Sequence, residues 1–347
     1  MKHDRARPKS ASRSPGTPDI IVSVVIPTYR RPLLLRRCLQ ALLDQTLGAD
    51  EFEIVVVDDA RDAHTQRLID ELAEQFAPLA LRYLHPPPGV RGPAAARNAG
   101  WRAARADIIA FTDDDTIPAA DWLAEGLAAM RTDQGRVRTM AAAGQVRVPI
   151  SEAPTDYERN VKRLEQAEFV TANCFVRRRA LEEIGGFDER FTRAWREDSD
   201  LHFNLLERYG GGVVHAARAV VLHPARAAPW GVSVREQRNM LFDALLFKKH
   251  PALYRARIRA RPPLAYYFTL TALLIALAGL LARSTLFAGV GFALWLALTL
   301  RFCAHRLSGT RRSARHVAEM TWTSAVIPVV AVYWRLAGAL RFRVRFV

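Results

Sequence analysis

Cysteine is scarce in this 347-residue chain: Cys38, Cys174 and Cys303 lie far apart, with neither the pairing of a disulfide framework nor the close spacing of zinc ligands. A reducing compartment fits that usage. Residues 1–19 contain no apolar run, so they lack both a signal-peptide core and the material to fold, and we expect a disordered basic tail. No nucleic-acid-binding module is visible despite a formal net charge of +15, so we expect no nucleic-acid partner. A glycine-rich phosphate loop with Lys or Arg is also missing after the first strand-like run, where Pro27-Thr28-Tyr29-Arg30-Arg31 stands instead, and this weighs against a nucleotidyltransferase. Finally, charge is absent between Pro262 and Arg283 and again from there to Arg301. Each run approaches the roughly 20 residues that cross a hydrocarbon core.

The length suggests about two units, and the composition makes them unlike. From residue 20 to about 225 strand-like apolar runs alternate with helical patterns, which predicts a mostly parallel α/β sheet flanked by helices. Residues 226–261 form a basic stretch in which Met240, Leu241, Leu245 and Leu246 oppose Arg235, Arg238, Lys248 and Lys249. This suits either an interfacial helix or a surface helix packed on the first unit. Residues 262–347 read as a membrane region, with a hairpin of helices at 262–282 and 284–300 and a third apolar segment within 320–340. That third segment contains Pro328 and is followed by Arg335, Arg341, Arg343 and Arg345, which a crossing would carry outside against the usual charge bias. A re-entrant or interfacial helix is expected there. The arginines at 255, 257, 259 and 261, and those at 301, 306, 311, 312 and 315, flank the hairpin on one side. They predict a multi-pass protein of the cell membrane with its α/β unit in the cytoplasm and membrane lipid as a partner.

The polar residues of interest fall at strand ends, where open α/β sheets bind ligands. Asp113, Asp114 and Asp115 end the strand-like run 108–112. Three adjacent carboxylates repel one another, and Mg²⁺ or Mn²⁺, which prefers oxygen ligands and phosphate co-ligands, would offset that; a solvated acidic loop is the alternative. Asp58 and Asp59 end a second run and could either receive hydrogen bonds from a nucleotide base or ribose or cap the following helix. Glu197 and Asp198 open a helix, where the helix dipole alone would accommodate them and where one could serve as a general base.

Taken together, Val24-Val25-Ile26-Pro27-Thr28-Tyr29, Val55-Val56-Val57-Asp58-Asp59, the segment Gly92 to Gly100, Phe111-Thr112-Asp113-Asp114-Asp115 and Glu197-Asp198 resemble the inverting family-2 glycosyltransferases, over roughly residues 21–223. The resemblance is to membrane-anchored members of the bacterial cell-envelope type. It implies a GT-A nucleotide-diphospho-sugar-binding fold and a nucleotide-diphosphate-sugar donor. The acceptor would be a hydroxyl on a lipid-linked or cell-envelope glycan, with metal assistance and inversion at the anomeric carbon. It further implies that Pro27, Thr28 and Tyr29 wall the base, that Asp59 with Asp58 contacts base or ribose, and that Asp113 to Asp115 form the DxD-type metal and diphosphate site. Asp198 would be the catalytic base. Arg97 matches an arginine near the nucleotide, or forms a salt bridge with the acidic strand ends. His223 matches a histidine that some relatives use with Asp113 and Asp115 as a metal ligand, or is structural. Ala60 and Thr171-Ala172-Asn173-Cys174 depart from the common pattern and affect the shape of the loops beside the site. A polyprenyl-phosphate sugar synthase and an inactive sugar-nucleotide-binding subunit are the rival readings.

Overall fold

The computed structural model describes residues 20–131 and 138–346, so the expected disordered tail at 1–19 lies outside the described residues. Runs such as Val22-Ser23-Val24-Val25-Ile26 are buried on both faces, which suits the interior of a parallel sheet covered by helices on either side. Eight strands form one sheet: β1 (Val22–Thr28), β2 (Phe52–Asp58), β3 (Ala80–Leu84), β4 (Ile108–Thr112), β5 (Ile117–Pro118), β6 (Ala141–Arg147), β7 (Asn173–Arg177) and β8 (Val213–Leu222). Their order is β3-β2-β1-β4-β7-β6-β8-β5. The half built from β3, β2, β1 and β4 is parallel, as the alternating pattern predicts. The other half is mixed, because β7 runs antiparallel to both β4 and β6 while β6 and β8 are parallel. The sheet is thus mixed but mostly parallel, with β5 and β7 the strands that run against the rest.

Helices α1 (Pro32–Leu43), α2 (Ala63–Gln75) and α4 (Trp122–Arg131) share the core on one face, where Val24, Ile26, Leu35, Leu39, Leu68 and Trp122 are buried together. On the other face lie α3 (Pro93–Ala103), α6 (Arg178–Ile184) and α7 (Glu197–Tyr209), around Val25, Val57, Ala96, Leu181 and Leu201. The intervening α5 (Asp156–Lys162) is opened by a reciprocal capping box between Thr155 and Glu158. The chain leaves β1 for β2 and β3, then returns to β4 on the other side of β1. The sheet therefore has its switch point between β1 and β4.

Beyond β8 the basic stretch is broken into α8 (Val232–Glu236), a 3-10 turn at Gln237–Asn239, α9 (Met240–Lys249) and the single turn α10 (Pro251–Leu253). Residues 241–246 of α9 are all buried, and they pack with Phe191 and Phe203 of the first unit. Helices α11 (Leu264–Leu281) and α12 (Thr285–Leu307) form a tight antiparallel hairpin. A Cβ on Gly291 would stand 2.3 Å from the backbone nitrogen of Ala276, so only glycine permits this approach of the two helices. Phe268, Leu274, Leu277, Phe287, Phe292 and Leu294 are left exposed on the outside. Helix α12 runs past residue 300, where the expected segment stopped, through Arg301 and Arg306. The reason is tertiary: Arg306 is buried and its charge is met by Asp156 of α5 at 2.8 Å, with Thr323 at 2.6 Å completing the contact.

The third apolar segment is one 29-residue helix, α13 (Ala314–Phe342), which continues through Pro328 and exceeds the expected short segment. Among the described residues it is one of three helices long and apolar enough to cross a membrane. Its contacts set it apart from the hairpin. Glu319 accepts from the Gly231 backbone at 2.7 Å, Trp322 packs on Trp230 at 5.0 Å, Gly338 meets Leu241, and Phe346 just beyond it joins the cluster of Phe191 and Phe203. Both ends of α13 therefore rest on the α/β unit and its basic extension.

Candidate active site

The carboxyl ends of β1, β2 and β4 open into a cleft of about 1720 Å³. Pro27, Thr28 and Tyr29 form one wall, with Tyr29 half exposed, and Asp59 stands beside them at the end of β2. Asp59 accepts from the backbone N–H of Gly92 at 3.0 Å, which ties the β2 loop to the start of α3. Thr28 donates to Asp114 at 2.7 Å and so bridges the switch point between β1 and β4. Burial pushes the Asp114 carboxyl up to about 6 against the opposing pull of Arg31, which reaches it at 3.2 Å. Both Asp114 oxygens are thus engaged within the protein, on the floor of the cleft.

Asp113, Asp115 and His223 converge, with one ligand atom from each lying within 4.8 Å of the others. Strand pairing explains the meeting. Ile117 of β5 faces Leu222 of β8 in antiparallel register, so the residue after β8 returns to the acidic triplet just before β5. The His223 Nε2 is 3.5 Å from Asp115, and its buried Nδ1 has no hydrogen-bond partner among the described residues. Two arginines that the sequence reading did not single out also reach the triplet. Arg226 pairs with Asp115 at 3.0 Å and Arg31 lies 3.8 Å from it. The signal for both was available, since one follows the wall motif by two residues and the other follows His223 by three.

Arg97 is buried and forks between Asp113 at 2.7 Å and Glu197 at 3.1 Å. It therefore links the acidic triplet to the opening turn of α7. There the chain enters the helix through Arg196 in the left-handed region, at φ 74°, and both Glu197, which is buried, and Asp198 line the cleft. One Asp198 oxygen accepts from the Ser199 N–H at 2.6 Å and from its hydroxyl at 3.2 Å. Burial raises the Asp198 carboxyl above its ordinary range, with Arg196 pulling the other way. Glu197 is pushed up to about 7, again by burial against the pull of Arg97. The bend is braced from α9: Asp243 accepts from Trp195 at 3.0 Å, pairs with Arg196 at 2.7 Å and accepts from Tyr254 at 3.1 Å.

Asp58 is the exception among the residues expected to touch ligand. It is fully buried and does not line the cleft. Its carboxylate accepts from the backbone of Ala60 at 2.8 Å and of Asp62 at 2.7 Å, and from the Tyr83 hydroxyl at 2.7 Å. Asp58 thus shapes the loop after β2, and of the two carboxylates it is Asp59 that faces the cleft.

A sheet with a parallel half and an acidic cleft at its switch point, joined across Arg97 to a helix-borne carboxylate, matches the GT-A architecture of glycosyltransferases. Residues 108–303, more than half of the chain, match the model of Glycosyl transferase family group 2, and residues 23–185 match that of Glycosyl transferase family 2; the chain belongs to the family-2 glycosyltransferases and uses a nucleotide-sugar donor. It is similar to the glycosyltransferase AglE of Haloferax volcanii, with 26% identity over 226 residues, 62% of this chain and 70% of that one. It is also similar to the validoxylamine A glucosyltransferase of Streptomyces hygroscopicus, 26% identical over 275 residues, 67% of this chain and 62% of that one. In architecture it resembles the mannosyltransferase PcManGT of Pyrobaculum calidifontis, solved with GDP-Man and Mn²⁺. The TM-score is 0.57 and the identity 22%, over 94% of this chain and 91% of the other.

Proposed function

We propose that this enzyme transfers a sugar, with inversion, from a nucleoside-diphosphate sugar to a hydroxyl of a lipid-linked or envelope glycan acceptor. The reading is carried by one observation: a single cleft runs from the donor wall at Pro27 to Tyr29, past Asp113 to Asp115 and Asp198, to Pro263 and Tyr266 at the base of the hairpin. Donor chemistry and a membrane-side opening therefore share one space.

Asp113, Asp115 and His223 fit a divalent cation, Mg²⁺ or Mn²⁺. They offer two carboxylates and an imidazole within 4.8 Å, and the ring carries a buried nitrogen without a partner among the described residues. A cation bound there would neutralise charge on the leaving diphosphate. Arg31 and Arg226, already beside Asp115, add fixed positive charge at the same place. Tyr29 and Asp59 hold base and ribose. Arg97 fixes Asp113 relative to the α7 turn, so the donor and the base keep a set separation. Asp198, raised by burial, takes the proton of the attacking hydroxyl through its second oxygen while Ser199 holds the first. A single displacement by that hydroxyl inverts the anomeric carbon.

In the membrane, α11 and α12 cross as a hairpin, with Arg283 at the far turn and the head in the cytoplasm. Helix α13 lies along the head at the interface, as its contacts at both ends favour. The test is calorimetric binding of UDP and GDP to the full chain in detergent, with and without Mn²⁺. Asp113→Ala with Asp115→Ala is expected to abolish the metal-dependent part while leaving Tm within a few degrees. Nucleotide affinity that is the same in EDTA as in Mn²⁺ would refute the metal site.

A further inference from the structure

Arg335 is the one charged residue of α13 that is buried, at 6% exposed, and it lines the catalytic cleft. Its Nε is shut away from solvent, and among the described residues it has neither a hydrogen-bond partner nor an ion pair. The guanidinium lies over the ring of Phe346, 3.6 Å from its centre. That ring packs edge-on against Tyr254 at 5.5 Å, and Tyr254 donates to Asp243, which pairs with Arg196 two residues before Asp198. A cation is thus held near the catalytic bend by an aromatic shelf, with no carboxylate among the described residues to neutralise it. The contrast with Arg306 is informative, because that equally buried arginine has Asp156. Burying an uncompensated charge is costly and is tolerated where a ligand completes it.

The cleft is also lined by Arg259, Pro263 and Tyr266, where the chain enters the hairpin, and the Arg259 backbone N–H donates to the carbonyl of Tyr254 at 2.9 Å, the residue whose ring packs on Phe346. An anion approaching Arg335 from this side comes from the bilayer surface. We infer that Arg335, with Arg259, forms an anion subsite for the phosphoryl or diphosphoryl group of a lipid-borne acceptor, whose distal hydroxyl reaches Asp198. This deepens the acceptor reading above and rests on it. The aromatic shelf and the unpaired fork suit a phosphate oxygen pair, which a guanidinium binds in a bidentate manner. A nucleotide diphosphate has its own place at the other end, beside Arg31 and Arg226.

Binding without turnover separates this inference from the assignment of Asp198. The full chain in neutral detergent is titrated with farnesyl diphosphate, inorganic pyrophosphate and farnesol, in the presence of saturating GDP or UDP and Mn²⁺ to keep the donor end filled. Farnesyl diphosphate is expected to bind, farnesol not to bind, and pyrophosphate to bind far more weakly. Arg335→Gln is expected to weaken farnesyl diphosphate about 10- to 100-fold, the range for losing a charge-assisted pair. It should leave nucleotide affinity unchanged and Tm unchanged or higher, since an unpaired buried charge is removed. A structural arginine would instead show a fall in Tm. Arg335→Lys, which keeps the charge, should retain part of the binding and covers the case in which the Gln variant misfolds. Equal affinity for pyrophosphate would reassign the subsite to a soluble anion. Unchanged farnesyl diphosphate binding in Arg335→Gln, or full competition by the nucleotide, would overturn it.

Discussion

Replacing Asp198 by Asn tests the chemistry most directly. The structure predicts what survives: the oxygen that accepts from the Ser199 N–H at 2.6 Å and hydroxyl at 3.2 Å has an equivalent in Asn, so the α7 turn keeps both bonds. What is lost is the second oxygen, the one free to take a proton in the cleft. Stability should therefore change by less than about 1 kcal/mol, while transfer falls roughly 10²- to 10⁴-fold, or about 3–5 kcal/mol in the barrier. Because burial raises the Asp198 carboxyl, the wild-type rate should climb with pH through a window above the ordinary carboxylate range, and the Asn variant should lose that climb. The assay measures sugar transfer against pH in detergent, alongside nucleotide affinity by calorimetry. Full activity in the variant would remove Asp198 from the mechanism. Lost nucleotide affinity would move it to the donor site. A lipid phosphate acceptor, already an anion, would be nearly indifferent to the change.

Three further outcomes follow. Asp58→Ala should cost about 1–3 kcal/mol of stability, since it leaves buried donors from Ala60, Asp62 and Tyr83 unmet, yet the donor KM should hold; a raised KM at constant Tm would return Asp58 to the ligand. Asp156→Ala strands Arg306 and should destabilise by about 3–5 kcal/mol, largely recovered in the Asp156→Leu, Arg306→Met double variant; no change in thermal melting would show that this pair is not the joint. His250 is disfavoured as a cation by burial but raised overall by its contacts with Asp200 at 3.2 Å and Glu207 at 3.0 Å. Its folded pKa exceeds that of the free ring, so its contribution is complete below about 6.5 and fades as pH rises through the raised value. Tm should fall across that interval, and the fall should shrink in His250→Gln; an identical slope in the variant would refute the assignment.

Much of this molecule is visible in the amino-acid order because the parallel strands carry their chemistry at their ends. Val24 to Tyr29, Val55 to Asp59 and Phe111 to Asp115 announce buried strand and polar tip together, and parallel pairing then puts the tips on one edge. The convergence of Asp113 and Asp115 with His223 is less accessible, since it depends on the two-residue β5 pairing with β8, a contact too short to leave a periodic trace. Asp58 and Asp59 cannot be told apart by type. Strand alternation decides, turning the first into the loop and the second to the cleft. Similarly, the end of α12 escapes a search for apolar runs because Arg306 is compensated by a residue 150 positions away. The left-handed bend at Arg196 has no sequence signature at all, being held by Asp243 from a later helix.

The return of α13 to the head changes what the hairpin of α11 and α12 is. Phe346, nearly the last residue, sits in the same cluster as Phe191 and Phe203, and Gly338 lies against Leu241. The catalytic body is therefore interrupted by α11 and α12 rather than finished before them, and the hairpin is an excursion between two of its own parts. Truncation at residue 261 would not release a complete soluble enzyme, because it would take away the wall that covers α9. Excising the excursion alone, and rejoining the chain across its base, is the cut that respects the fold.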